Sequence, residues 1–166
     1  YRLELALDPA TPRFTGIVEI DVEVVRPVDA IVLNARGLTP TAAPRLLEPA
    51  GAERGLTVAA DEGLEQWRLA TSPVTTFPAG SYRLRIEYAG EVQRVGQGMF
   101  VVEYTADDAP ARMLATQFQP GHARKVFPGF DEPAFRARFD LTVRAPDRHD
   151  VVSNMPVSST HAADGL

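Results

Sequence analysis

Apolar residues in this chain recur at every second position, in runs too short and too often broken by proline and glycine to wind as helices. The stretch FPAGSYRLRIEY sets Tyr82, Leu84, Ile86 and Tyr88 on one side and Ser81, Arg83, Arg85 and Glu87 on the other. That is the period of a half-buried strand. Tyr1, Leu3, Leu5 and Leu7 alternate with Arg2, Glu4 and Asp8, and Val18, Ile20, Val22 and Val24 alternate with Glu19, Asp21 and Glu23. Gly16, just before the second run, is expected to permit a bulge or bend.

The same reading continues along the chain. Ile31–Asn34 is a short apolar run, and TPTAAPRLLEPAGAERG is a turn-rich connection with room for one short strand at Arg45–Leu47. Residues 56–59 and 65–69, around Trp67, form an expected hairpin with ADEG as its turn. Phe100, Val102 and Tyr104 alternate, residues 113–118 make another candidate strand, Phe139, Leu141 and Val143 alternate again, and a last strand is expected near Val151. Strand signals this frequent, with no sustained helical period, predict an all-β antiparallel sandwich or saddle. Residues 1–166 are read as a single β domain, and the loop-like HAADGL suggests a cut through a longer polypeptide.

Composition narrows the functions. An apolar share of 45% and a charged share of 23% are ordinary for a globular chain, so disorder is not expected. No apolar run is long enough to span a membrane as a helix. A net charge of -5 argues against nucleic acid as a partner, because phosphates need a basic face. Tyr1 opens directly in a strand pattern, so a secretory signal is expected to be absent or already removed. The compartment stays open, a soluble cytoplasmic protein being the default.

Motifs for autonomous chemistry are missing. Without cysteine there is no disulfide or thiolate metal site, and His122, His149 and His161 lack the spacing of zinc ligands, so they read as surface or loop residues. No G-x-S-x-G elbow occurs, and GQGMF leads into a strand pattern, so it reads as a hairpin turn and not a phosphate loop. The adjacent carboxylates of Asp131 and Glu132 point apart on an extended backbone before Pro133. Asp131 is therefore expected to cap a turn and to pair with Arg124 or Arg136.

One stretch departs from the alternation. TQFQPGHARKVFPGFDEPAFRARF, Thr116 to Phe139, crowds glutamines, basic residues, prolines and phenylalanines without a period. It resembles the T-Q-x-E-P … A-R … F-P-C-x-D-E-P segment of the aminopeptidase N family of zinc metallopeptidases. YRLELALDP, FTGIVEIDVEV, IVLNARGL, GSYRLRIEYAG, GMFVVEY and VVSNMPV agree in order, so the likeness spans essentially the whole chain.

The resemblance implies the amino-terminal β domain of such an enzyme, one that removes amino-terminal residues from peptides. It implies zinc in the parent enzyme and none bound by this segment, since the G-x-M-E-N and H-E-x-x-H motifs are absent from the sequence. The catalytic domain of the same polypeptide is expected after residue 166. By the same likeness Gln117 and Gln119 are substrate-binding residues, with no catalytic or metal residue in this segment. Position 119 departs from the family's usual glutamate, and Gly129 stands where cysteine is frequent. Phe118, Phe127, Phe130 and Phe135 are expected to expose an apolar docking patch. The other reading is a non-catalytic binding or scaffold module related to the same family.

Overall fold

The computed structural model describes residues 1–48 and 50–162. Its first six strands are β1 (Arg2–Ala6), β2 (Arg13–Val24), β3 (Ile31–Asn34), β4 (Leu38–Pro40), β5 (Arg45–Leu47) and β6 (Glu53–Gly55). Then follow β7 (Thr57–Asp61), β8 (Gln66–Ala70), β9 (Gly80–Glu91), β10 (Gly98–Ala106), β11 (Ala109–Gln117) and β12 (Asp140–Arg144), with a 3-10 turn at Ala123–Lys125. The fold is all-β, as the alternation predicts. Among the described residues no helix is long and apolar enough to cross a membrane.

The strands gather into three sheets. The largest runs β12-β1-β2-β9-β5-β6, with β4 also paired to β9; β3-β8-β7 form a second and β10-β11 a third. All pairings are antiparallel except β1 with β12. β2 and β9 match over their full twelve residues, from Arg13 opposite Glu91 to Val24 opposite Gly80. Their inner row sets Val18 against Ile86 and Ile20 against Leu84, and Leu46 of β5 meets Leu84 from the other side. Ile31, Leu33, Trp67 and Leu69 of the second sheet join the same buried cluster. Residue identity and register therefore agree: the inward side chains of β2 and β9 are apolar or aromatic, with glycine at positions 16 and 90.

Gly16 has a different role from the bulge expected of it. The β2–β9 register is unbroken there, with Gly16 facing Tyr88. A Cβ on Gly16 would clash with Cζ and the hydroxyl oxygen of Tyr88. Glycine is needed because the Tyr88 ring lies across the backbone, not because the strand bends. Burial pushes the Tyr88 phenol far above its ordinary titration range, and its hydroxyl has no hydrogen-bond partner among the described residues.

Other expectations also change. GQGMF is not a hairpin turn, since β9 and β10 lie in different sheets; Gln93 instead bridges Phe100 in parallel, its N–H donating to Met99 O at 2.8 Å. The strand expected near Val151 does not form: residues 151–162 are exposed outside any sheet, with Val152 90% accessible. Alternation specifies a strand only where a neighbour accepts its hydrogen bonds, and none of the described strands pairs with this segment. The described part of HAADGL is His161 and Ala162; the remainder lies outside the described residues.

Two substitutions test the central packing. Gly16→Ala is expected to destabilise the fold by about 1–3 kcal/mol, the usual cost of overpacking a core. Tyr88→Phe, which removes an unpartnered hydroxyl, should be neutral or stabilising and should recover part of the Gly16→Ala loss. Urea unfolding of the single and double variants decides this; strict additivity of the two effects would refute the close contact.

Candidate functional site

The aperiodic stretch begins where the β10–β11 ribbon ends. The ribbon turns at Asp107 and Asp108, both with positive φ (49° and 64°), the two-residue geometry that suits the twist of a hairpin. At the other end Gln117, the last residue of β11, faces Gly98 on β10. Gln117 and Gln119 are both exposed there, and the peptide between Gln119 and Pro120 is cis.

The chain then folds tightly against the body of the protein. The His122 N–H donates to Phe118 O at 2.7 Å, and the 3-10 turn closes with Val126 N–H donating to Ala123 O at 2.8 Å. Gly98 lets this turn approach the ribbon. Its φ is +66°, and a Cβ there would meet Cβ of Lys125 at 2.9 Å. Lys125 Nζ donates to Gln97 Oε1 at 2.8 Å, and burial, with Arg36 nearby, lowers the Lys125 ammonium from its ordinary range.

Beyond the turn, Val126, Phe127, Pro128 and Gly129 are buried. Gly129 and Asn34, at the end of β3, exchange backbone hydrogen bonds of 2.8 and 3.0 Å. The buried side chain of Asn34 accepts from the Asp131 N–H at 3.3 Å, and the Phe130 N–H donates to the Tyr1 hydroxyl at 3.0 Å. Burial raises the Tyr1 phenol from its ordinary range against the lowering effect of that hydrogen bond.

Charge closes the arrangement. Arg124 Nε donates to Asp131 Oδ2 at 2.8 Å, so of the two arginines expected as partners it is Arg124 that pairs. Arg124 Nη1 also lies 3.4 Å from Glu65 Oε2, and Arg36 Nη1 reaches Glu65 Oε1 at 2.8 Å. The Arg124 side chain is 19% exposed and Asp131 17%, so water screens the pair less than an open surface bridge. The hydrogen bond to Asp131 raises the Arg124 guanidinium from its ordinary value. Glu65, Asn34 and Arg36 were not singled out by spacing, since each comes from a segment distant in sequence.

The expected apolar patch is smaller than predicted. Phe135 is 59% exposed, Phe118 is exposed and Phe130 half-buried, but Phe127 is buried. Phe127 sits at the centre of an aromatic chain, edge-on to Phe118 at 6.1 Å, to Phe139 at 5.7 Å and to Tyr1 at 6.3 Å. His122 is half-buried with Nδ1 lacking a hydrogen-bond partner among the described residues, so it is not a plain surface histidine. Among the described residues no three His, Cys, Asp or Glu side chains gather as a metal-binding group. The donor set here does not fit a zinc site.

An all-β domain with a glutamine-bearing ribbon end strapped down by an arginine–carboxylate network is the class the geometry defines. Residues 1–165 match the family model of the peptidase M1 N-terminal domain, and the chain belongs to that family. It is 35% identical over 167 residues to an aminopeptidase N of Acetobacter pasteurianus, covering 96% of this chain and 43% of that protein. It is 34% identical over 171 residues to human endoplasmic reticulum aminopeptidase 1, covering 100% of this chain and 18% of the relative. An aminopeptidase M1-A of Oryza sativa is 32% identical over 158 residues, with 95% and 18% covered. The chain thus spans less than half the length of these relatives.

The Asn34 bridge can be probed directly. Asn34→Ala should expose the Asp131 amide to faster hydrogen exchange and cost about 1 kcal/mol, because a half-buried donor loses its acceptor. Unchanged protection of that amide would show that Asn34 does not hold the segment.

Proposed function

We propose that this chain is the amino-terminal, substrate-positioning domain of a zinc-dependent aminopeptidase that removes amino-terminal residues from peptides. In this reading residues 1–166 form one β unit, and a catalytic domain of the same polypeptide supplies the zinc ligands. The observation that carries it is the family match over residues 1–165 together with the fixed, solvent-facing end of β11. Among the described residues the carboxylates and histidines do not cluster as a metal-binding group, so in this reading the zinc ligands belong to the catalytic domain.

The contribution of the domain is binding. A glutamine amide both donates and accepts hydrogen bonds, so Gln117 suits contact with the first residue of a peptide. Gln119 accepts a hydrogen bond from a substrate's free ammonium without supplying charge. The ammonium makes the hydrogen bond charge-assisted with either acceptor, so what a glutamate would add is the attraction of an opposite charge, anchoring the amine more firmly. The exposed Phe118 and Phe135 give the domain an apolar contact for its catalytic neighbour.

In the full-length polypeptide, Gln119→Glu is expected to lower KM for aminoacyl-amide substrates by up to about tenfold, the equivalent of about 1.4 kcal/mol. Zinc should be found in that polypeptide and hydrolysis should be absent from residues 1–166 alone. A full-length protein free of zinc and unable to hydrolyse aminoacyl-amides would favour the scaffold reading instead.

A further inference from the structure

β11 ends at Gln117, whose ladder partner Gly98 abuts the turn at Lys125, and Gln119 stands in that turn, so the placement of both glutamines depends in part on it. Arg124 is the residue on which this turn closes. Its Nε meets Asp131 at 2.8 Å, its Nη1 faces Glu65 at 3.4 Å, and its Nη2 lies 3.9 Å from where a Cβ of Gly121 would stand. Its carbonyl accepts the Arg36 N–H at 2.8 Å, while Glu65 holds the Arg36 side chain and accepts the Ala35 N–H through its own carbonyl at 2.8 Å. One guanidinium therefore ties the turn to Asp131 beyond it and to the β7–β8 hairpin, far away in sequence.

We propose that Arg124 is a positioning residue for the pocket that receives the first residue of the substrate, fixing Gln117 and Gln119 and thereby setting which first side chain is preferred. The inference rests on the reading that these glutamines meet the peptide. Arginine is required because a planar fork addresses two carboxylates from two directions, whereas the single ammonium of lysine is a point charge on a flexible stem. An error of about 1 Å in a positioning group costs as much as about 100-fold in rate, so losing one arm of the fork is enough to be measured.

The test uses the full-length polypeptide and two aminoacyl-amides, alanyl and arginyl. Variants are Arg124→Lys, Asp131→Asn, Gln117→Ala and Gln119→Ala, each followed by kcat, KM and thermal midpoint. Arg124→Lys is expected to raise KM by about tenfold, a fraction of the cost of a full misplacement, and to change the ratio of kcat/KM between the two substrates. Asp131→Asn should shift the same two quantities in the same direction. A role in stability alone would lower the thermal midpoint and the active fraction, leaving KM and the substrate ratio as in the parent. That result in both variants overturns the proposal. If Arg124→Lys does not fold, Asp131→Asn, which keeps an acceptor for Nε, decides alone. Should the glutamine variants also leave KM and the ratio unchanged, the substrate-positioning reading itself falls; should they change both while the Arg124 and Asp131 variants do not, only the role of Arg124 is lost.

Discussion

The pairing of β2 with β9 is the constraint on which the other elements depend. Its twelve-residue register presents one continuous apolar face, from Tyr88 beside Gly16 to Tyr82 beside Val22. A shift by a single residue would turn Arg83, Arg85 and Glu87 into that face and expel Leu84 and Ile86. β1 extends the face by placing Leu3 beside Val18, and β5 extends it from the opposite edge through Leu46. The second sheet has somewhere to pack only because this face exists.

The outer surface of the same strands carries charge, and its role differs from that of the core. Glu19 meets Arg2 at 3.2 Å and Arg85 at 3.2 Å, while Asp21 meets Arg2 at 2.9 Å and Arg83 at 2.8 Å. The hydrogen bond from Arg83 holds the Asp21 carboxyl below its ordinary range. Exposed pairs of this kind are worth about 0–1 kcal/mol each, against about 1.5–3 kcal/mol for each fully buried Leu or Ile. Stability therefore lies inside. The ladder favours one alignment, since it also offsets the placement of Arg45 directly opposite Arg85.

Legibility in the sequence followed the same division. Strands that bury one face, such as β1, β2 and β9, were evident from period two, because burial is what selects that pattern. The β7–β8 hairpin was equally plain from Trp67, but its turn falls at residues 62–65, two positions beyond the expected ADEG, because Ala60 and Asp61 still pair with Trp67 and Gln66. Gly16 misled because an isolated glycine in a strand marks either a bulge or a close approach, and only the partner strand decides which. Val151–Val157 misled because its apolar residues lack a neighbouring strand. At the candidate site, the pairing of Asp131 with Arg124 was among the expectations, being seven residues apart. Glu65, Arg36 and Asn34 were invisible, since their roles arise from a β3–β8 edge that meets the 116–131 segment only in three dimensions.

That meeting explains why an aperiodic segment can be so well fixed without belonging to a sheet. A strand obtains order from a ladder of repeated bonds, but residues 118–131 obtain it from unlike contacts, each used once: the Gly129 bridge to Asn34, the hydroxyl of Tyr1, the close approach at Gly98 and the fork of Arg124. Such an arrangement leaves the polar ends of the ribbon free while its base is buried beside Phe127. Gln117 keeps its backbone in the β10–β11 ladder while its side chain faces solvent, and Gln119 stands just past the strand, outside any ladder. The order of Gln119 has to come from neighbouring residues, and here it comes from the segment that follows.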